Sequence, residues 1–113
     1  MLAAPPALGS LTDRVQLLHR DLASDDDGGT LTTFVPLATV WARIRQLSGR
    51  QGETTDGRAV LLSHSVVLRY RADLAPGDRL IYAGRSLELV TAADLNGRRT
   101  YLSCTCSETI ITG

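Results

Sequence analysis

The chain has 113 residues, 43% of them hydrophobic and 21% charged, with twelve basic residues balancing twelve acidic ones. A chain of this size forms one domain and buries roughly 65% of the surface that its unfolded form exposes, so a true core is expected. The zero net charge excludes avid, charge-driven binding to nucleic acid or to an anionic membrane.

The N-terminal stretch MLAAPPALGSLTDR has neither the basic region nor the apolar run of a secretory signal. No window approaches the roughly 18 consecutive apolar residues of a membrane helix, so a soluble chain folded in a cytosol is expected. Residues 1–12 read as a flexible arm, because Pro5 and Pro6 block regular pairing and Gly9 and Ser10 loosen the chain after them. A strand begins near Arg14, where Val15 and Leu17 alternate with Arg14 and Gln16. The cluster DDDGG, residues 25–29, is a turn: its aspartates bond to local backbone and its glycines accept positive φ. TLTTFV, residues 30–35, is β-branched and aromatic, and returns as the partner of the first strand.

Thr39 to Leu47 is the clearest strand, with Val40, Ala42 and Ile44 on one face and Trp41, Arg43 and Arg45 on the other. Ser63 to Arg71 alternates in the same way: His64, Val66, Leu68 and Tyr70 oppose Val67, Arg69 and Arg71. Between them lies SGRQGETTDG, a polar excursion that reads as a long loop over residues 48–58. APGD at 75–78 is a turn, RLIYAG and SLELV form a short pair hinged at Gly84, and Asn96-Gly97 supplies a tight hairpin into a last strand, TYLSCTC. The expected fold class is therefore all-β: a small antiparallel β-barrel or sandwich of six to seven short strands over residues 13–113, with a long polar loop between two central strands.

Charge is unevenly distributed. Residues 1–42 carry two arginines against five aspartates, whereas residues 43–71 carry six arginines against Glu53 and Asp56. The solvated-face reading of Arg43, Arg45, Arg69 and Arg71 competes with a subunit interface or a DNA-facing surface. Trp41, the one tryptophan, shares their face. Burying it would remove about 150 to 250 Å² from water, a contribution of roughly 4 to 6 kcal/mol, so either a second layer of the domain or a partner subunit is expected to cover it.

Catalytic chemistry is poorly provided for. His19 and His64 are the only histidines; His64 reads as a core-edge residue, and no acid-base partner for it is evident. Cys104 and Cys106 point the same way on a strand and read as small apolar core residues, since a zinc site needs four ligands. DDDGG lacks the ligand spacing of a calcium loop. No cofactor and no metal are expected, and the chain is not expected to be an enzyme.

Taken in order, DRVQLLHRD, the acidic turn, ATVWARIRQLSGR, HSVVLRYR, RLIYAGRSLELV and LSCTCSE resemble the phage head-tail joining proteins, also called head closure, stopper or head-tail adaptor proteins, which also serve in gene transfer agents. The resemblance runs from about Leu11 to Glu108. Its specific elements are Val40-Trp41-Ala42 with Ile44, the Ser48-Gly49-Arg50 that opens the excursion, and His64 followed by Arg69-Tyr70. The longer N-terminal arm and the second cysteine depart from the family pattern.

The resemblance implies a structural protein at the neck of a virion or virion-like particle, assembled in the host cytoplasm. It implies a homo-oligomeric ring of six or twelve copies, with a portal or adaptor protein above, a tail terminator or tail tube protein below, and packaged double-stranded DNA in the channel. On this reading the loop residues Ser48, Gly49, Arg50, Gln51, Gly52, Glu53, Thr54, Thr55, Asp56, Gly57 and Arg58 face the channel, hinged by Gly49, Gly52 and Gly57. Trp41, Arg43, Arg45, Arg69 and Arg71 form a subunit or partner interface. The alternative is a small OB-like or SH3-like barrel binding single-stranded nucleic acid, for which the aromatics Trp41, Phe34, Tyr70, Tyr82 and Tyr101 are few.

Overall fold

Six antiparallel strands make up most of the computed structural model, which describes residues 10–54 and 57–112 and, within them, the side chains of 10–47 and 59–110. They are β1 (Asp13–Ser24), β2 (Thr30–Thr54), β3 (Gly57–Arg69), β4 (Arg79–Tyr82), β5 (Arg85–Asp94) and β6 (Tyr101–Thr112). The sheet closes on itself in the order β1-β2-β3-β6-β5-β4, with β4 returning to β1, so the barrel itself has no open edge.

The period of two in the sequence is the period of the core. Val15 and Leu17 from β1, Ala42 from β2, Val66 and Leu68 from β3, Leu80 from β4, Leu87 and Leu89 from β5, and Leu102, Cys104 and Cys106 from β6 fill the interior. Both cysteines are free, buried thiols.

Two expectations are corrected at the level of elements. The segments 30–35 and 39–47 are not separate strands but parts of β2, which runs through Pro36 because a bulge lies there: Leu17 pairs with Ala38 and Leu18 with Pro36, leaving Leu37 unpaired. A bulge is where a strand tolerates a residue with no N–H to donate. Nor do Asn96 and Gly97 make a two-residue hairpin. They take positive φ, as does Arg99, inside a longer connection that begins with the 3-10 turn Leu95–Gly97 and in which Asp94 accepts the backbone N–H of Arg99. The arm expected over residues 1–12 lies outside the described residues up to residue 9; Leu11 is already buried.

The remaining turns obey their sequence signals. Asp25 accepts N–H bonds from Asp27 and Gly29, and Gly28 has a φ of 83°. Gly77, with a φ of 96°, closes the APGD turn, whose Asp78 is almost wholly buried and accepts bonds from the backbone of Arg20 and Ala75 and from His19. That carboxylate ties the β1–β2 hairpin to the β3–β4 connection.

Candidate functional site

The polar excursion is a paired ribbon rather than an irregular loop. From Ser48↔Ser63 to Thr54↔Gly57, β2 and β3 continue their ladder, and β6 accompanies β3 as far as Arg58↔Thr112. β1 reaches along β2 only to Ala42, and β5 reaches along β6 only to Ser107. Beyond those points the barrel wall becomes a three-stranded blade, β2-β3-β6, which extends roughly 20 Å at about 3.3 Å per residue. Gly49, Gly52 and Gly57 are ladder members facing Leu62, Ala59 and Thr54, so the expected glycine hinges give way to one break in the ladder, the bulge at Leu47 between Gln46↔His64 and Ser48↔Ser63. Thr55, Asp56 and the side chains of residues 48–58 lie outside the described residues.

At the root of the blade the barrel mouth is polar. Continuing the core phase of Cys104 and Cys106 along β6 brings Glu108 inward, where it is only 6% exposed. His64, which is 4% exposed, lies 3.1 Å from Glu108 Oε1 through its Nε2. Arg85, the first residue of β5, donates Nε–H to Glu108 Oε2 at 2.9 Å and an Nη2 hydrogen to Oε1. The Arg85 guanidinium, opposed by burial and seconded by His64, holds the Glu108 carboxyl below its ordinary range. Nδ1 of His64 is buried without a hydrogen-bond partner. Asp13, also at this mouth, accepts the Ile44 N–H at 3.0 Å and the Tyr82 hydroxyl at 3.3 Å, and so fixes where β1 leaves β2.

This cluster corrects the expectation that His64 has no acid-base partner. It nonetheless has no thiolate beside it. The thiol paired across the ladder from His64, Cys106, is pushed up to about 12 by burial, as is Cys104, so neither is a thiolate near neutral pH. Among the described residues no group of three acids, histidines or cysteines could hold a metal ion. The sequence did carry a signal for Glu108, since Cys104-x-Cys106-x-Glu108 sets a charge on a core face, and such a charge must find a partner.

The arginine face is present on the outside of β2 and β3. Trp41 is 51% exposed, and the Arg14 guanidinium lies over its ring at 4.8 Å from the centroid, so among the described residues no second layer covers it. Arg45 and Arg69 are exposed and Arg43 is half-buried. Arg71 departs from the group: it makes a double hydrogen bond to Asp73, at 2.6 and 2.7 Å, within its own turn. Among the described residues, Leu11, Thr12, Val40, Trp41 and Arg69 line a groove of about 750 Å³.

The aromatics do not form a base-stacking platform. Tyr101 is buried, Tyr70 and Tyr82 pack against the core, and Phe34 is capped by the Arg79 guanidinium at 3.9 Å.

Residues 7–109 match the phage head completion protein family. The chain belongs to that family. A head completion protein is a structural component of a phage-like particle, and the matched region includes both the barrel and the blade. The fold is shared with a chain of the virion of a native gene transfer agent particle, at a TM-score of 0.78 and 20% identity over 90% of this chain and 97% of that one. Protein SF1141 from Shigella flexneri 2a, whose solution structure is known, is similar at a TM-score of 0.65 and 26% identity over 89% of this chain and 95% of the other. No curated protein sequence matches the chain.

Proposed function

We propose that this head completion protein acts as the closure ring of a phage or gene transfer agent neck, its copies arranged about the DNA channel below the portal or adaptor protein and above the tail terminator or tail tube protein. The observation that carries this reading is the blade, a paired three-stranded projection leaving one end of a closed barrel. An isolated strand pair is marginal in water; the third strand makes the projection stiff enough to obstruct a channel when several copies converge. In the ribbon Arg50 and Arg58 offset Glu53 and Asp56. A neutral projection blocks the bore without gripping phosphates, because each neutralised phosphate would add affinity through released counterions. Opening tilts the blade as a unit at its root, where β1 and β5 stop and the Leu47 bulge interrupts the β2–β3 ladder, and DNA passes beside it.

The test is a ribbon shortened in register. Replacing residues 51–60 by an Asn-Gly turn closes the hairpin at the Arg50↔Leu61 pair and leaves the barrel untouched. Particles carrying this variant should form necks but retain less nuclease-protected DNA than the wild type. Particles that stay full, with the shortened protein in place, would remove the closure role from the ribbon.

A further inference from the structure

At the end of the barrel opposite the blade, β1 and β2 form a second projection. β4 pairs with β1 only from Gln16 to Leu18, so residues 19–24 and 30–35 stand as a two-stranded ribbon whose turn holds Asp25, Asp26 and Asp27. Its pairing places Leu22 on one face and Leu31 and Val35 on the other, and all three are exposed. Two strands alone do not bury enough apolar surface to be stable in water, and here the exposed aliphatics are joined to an acidic tip. The Trp41 groove has the matching chemistry: apolar walls from Leu11, Val40 and Trp41, with Arg69 at the edge and Arg14 over the indole.

We infer that the acidic β1–β2 ribbon of one copy docks into the Trp41 groove of a second copy, with its Leu31 and Val35 face against the indole and its aspartates towards the arginine face. Both surfaces lie on one chain and do not overlap, so the contact is head-to-tail, and repeats either close into a ring or extend as a filament. Opposite charge selects the partner: the ribbon tip carries three aspartates, while Arg43, Arg45 and Arg69 lie along the face that receives it. This assignment rests on the closure-ring reading for its setting, but it concerns only how copies join.

The test mixes two crippled proteins. Asp26→Arg/Asp27→Arg spoils the ribbon but keeps Asp25, which caps the turn; Arg69→Ala weakens the groove without giving it a negative charge that would attract the arginine-bearing ribbon. Each variant alone should self-associate at least roughly tenfold more weakly than the wild type in sedimentation velocity. Mixed, they should form a one-to-one complex that grows no further, since only one intact ribbon and one intact groove remain. Trp41, the only tryptophan, reports the contact by a shift of its emission to shorter wavelength. No complex in the mixture, or wild-type emission unchanged with concentration up to roughly millimolar, overturns the inference. So does a wild-type indole shielded by the chain's own residues 1–9, revealed by a red shift on their deletion at monomeric concentration. DNA retention by the blade is read separately, as nuclease-protected DNA, so either proposal can fail alone.

Discussion

Arg85→Ala isolates the polar mouth. The guanidinium gives two bonds to a carboxylate that is almost wholly buried, and its loss leaves Glu108 with His64 alone. Breaking a fully buried pair costs about 3 to 5 kcal/mol, but water can reach the space left by the half-exposed Arg85, so about 2 kcal/mol is expected. The cost depends on pH. Because Arg85 lowers the folded-state value of Glu108 below its unfolded value, the stabilisation is fully present above about pH 4.5 and disappears as pH falls through the folded value. Urea unfolding at about pH 6.5 should show the midpoint displaced by roughly 1 M, given a slope near 2 kcal/mol per M. At about pH 3, below the ordinary glutamate value, the wild-type and variant curves should draw together, because the unfolded chain then binds a proton that the Arg85-paired carboxylate resists. A displacement below about 0.3 M at the higher pH, or one of equal size at both, would show that the ion pair contributes nothing.

Trp41→Ala should cost about 2 kcal/mol in the monomer, since half the indole, about 100 Å², is removed from water at roughly 25 cal/mol per Å²; denaturation of the dilute protein checks this. Asp78→Ala removes the acceptor for two backbone N–H groups and for His19 and should cost about 3 kcal/mol, with Asp78→Asn recovering only the bonds at Oδ1. Neither Cys104 nor Cys106 should react with a disulfide reagent at pH 8 while the chain is folded, because burial pushes both thiols up to about 12. Both should react at once in denaturant; rapid labelling of the native protein would contradict their burial.

Much of this architecture is legible because strand alternation is local. The inward phase of Val40, Ala42 and Ile44, that of His64, Val66 and Leu68, and the turns at 25–29 and 75–78 are written within a few residues each, and the structure repeats them. The excursion reads as a loop because polar, glycine-containing composition is the ordinary mark of irregular chain. What makes it a ribbon is β6, whose pairing with β3 continues nearly to the tip. Phase alone groups Arg71 with the outer arginines, whereas the turn just after it supplies Asp73 as its partner.

The sequence by itself determined the strand faces, the core residues and the sites where the chain must turn, for these depend on side-chain period and on the φ values that glycine and asparagine accept. Only the tertiary structure decided which strands outlast their neighbours, and so where the barrel ends and the two projections begin. It alone joined Arg85, His64 and Glu108, which lie on three different parts of the chain. The physical reason is that alternation says which way a side chain points but not what stands opposite it; register and closure set that, and both arise from pairings between distant segments.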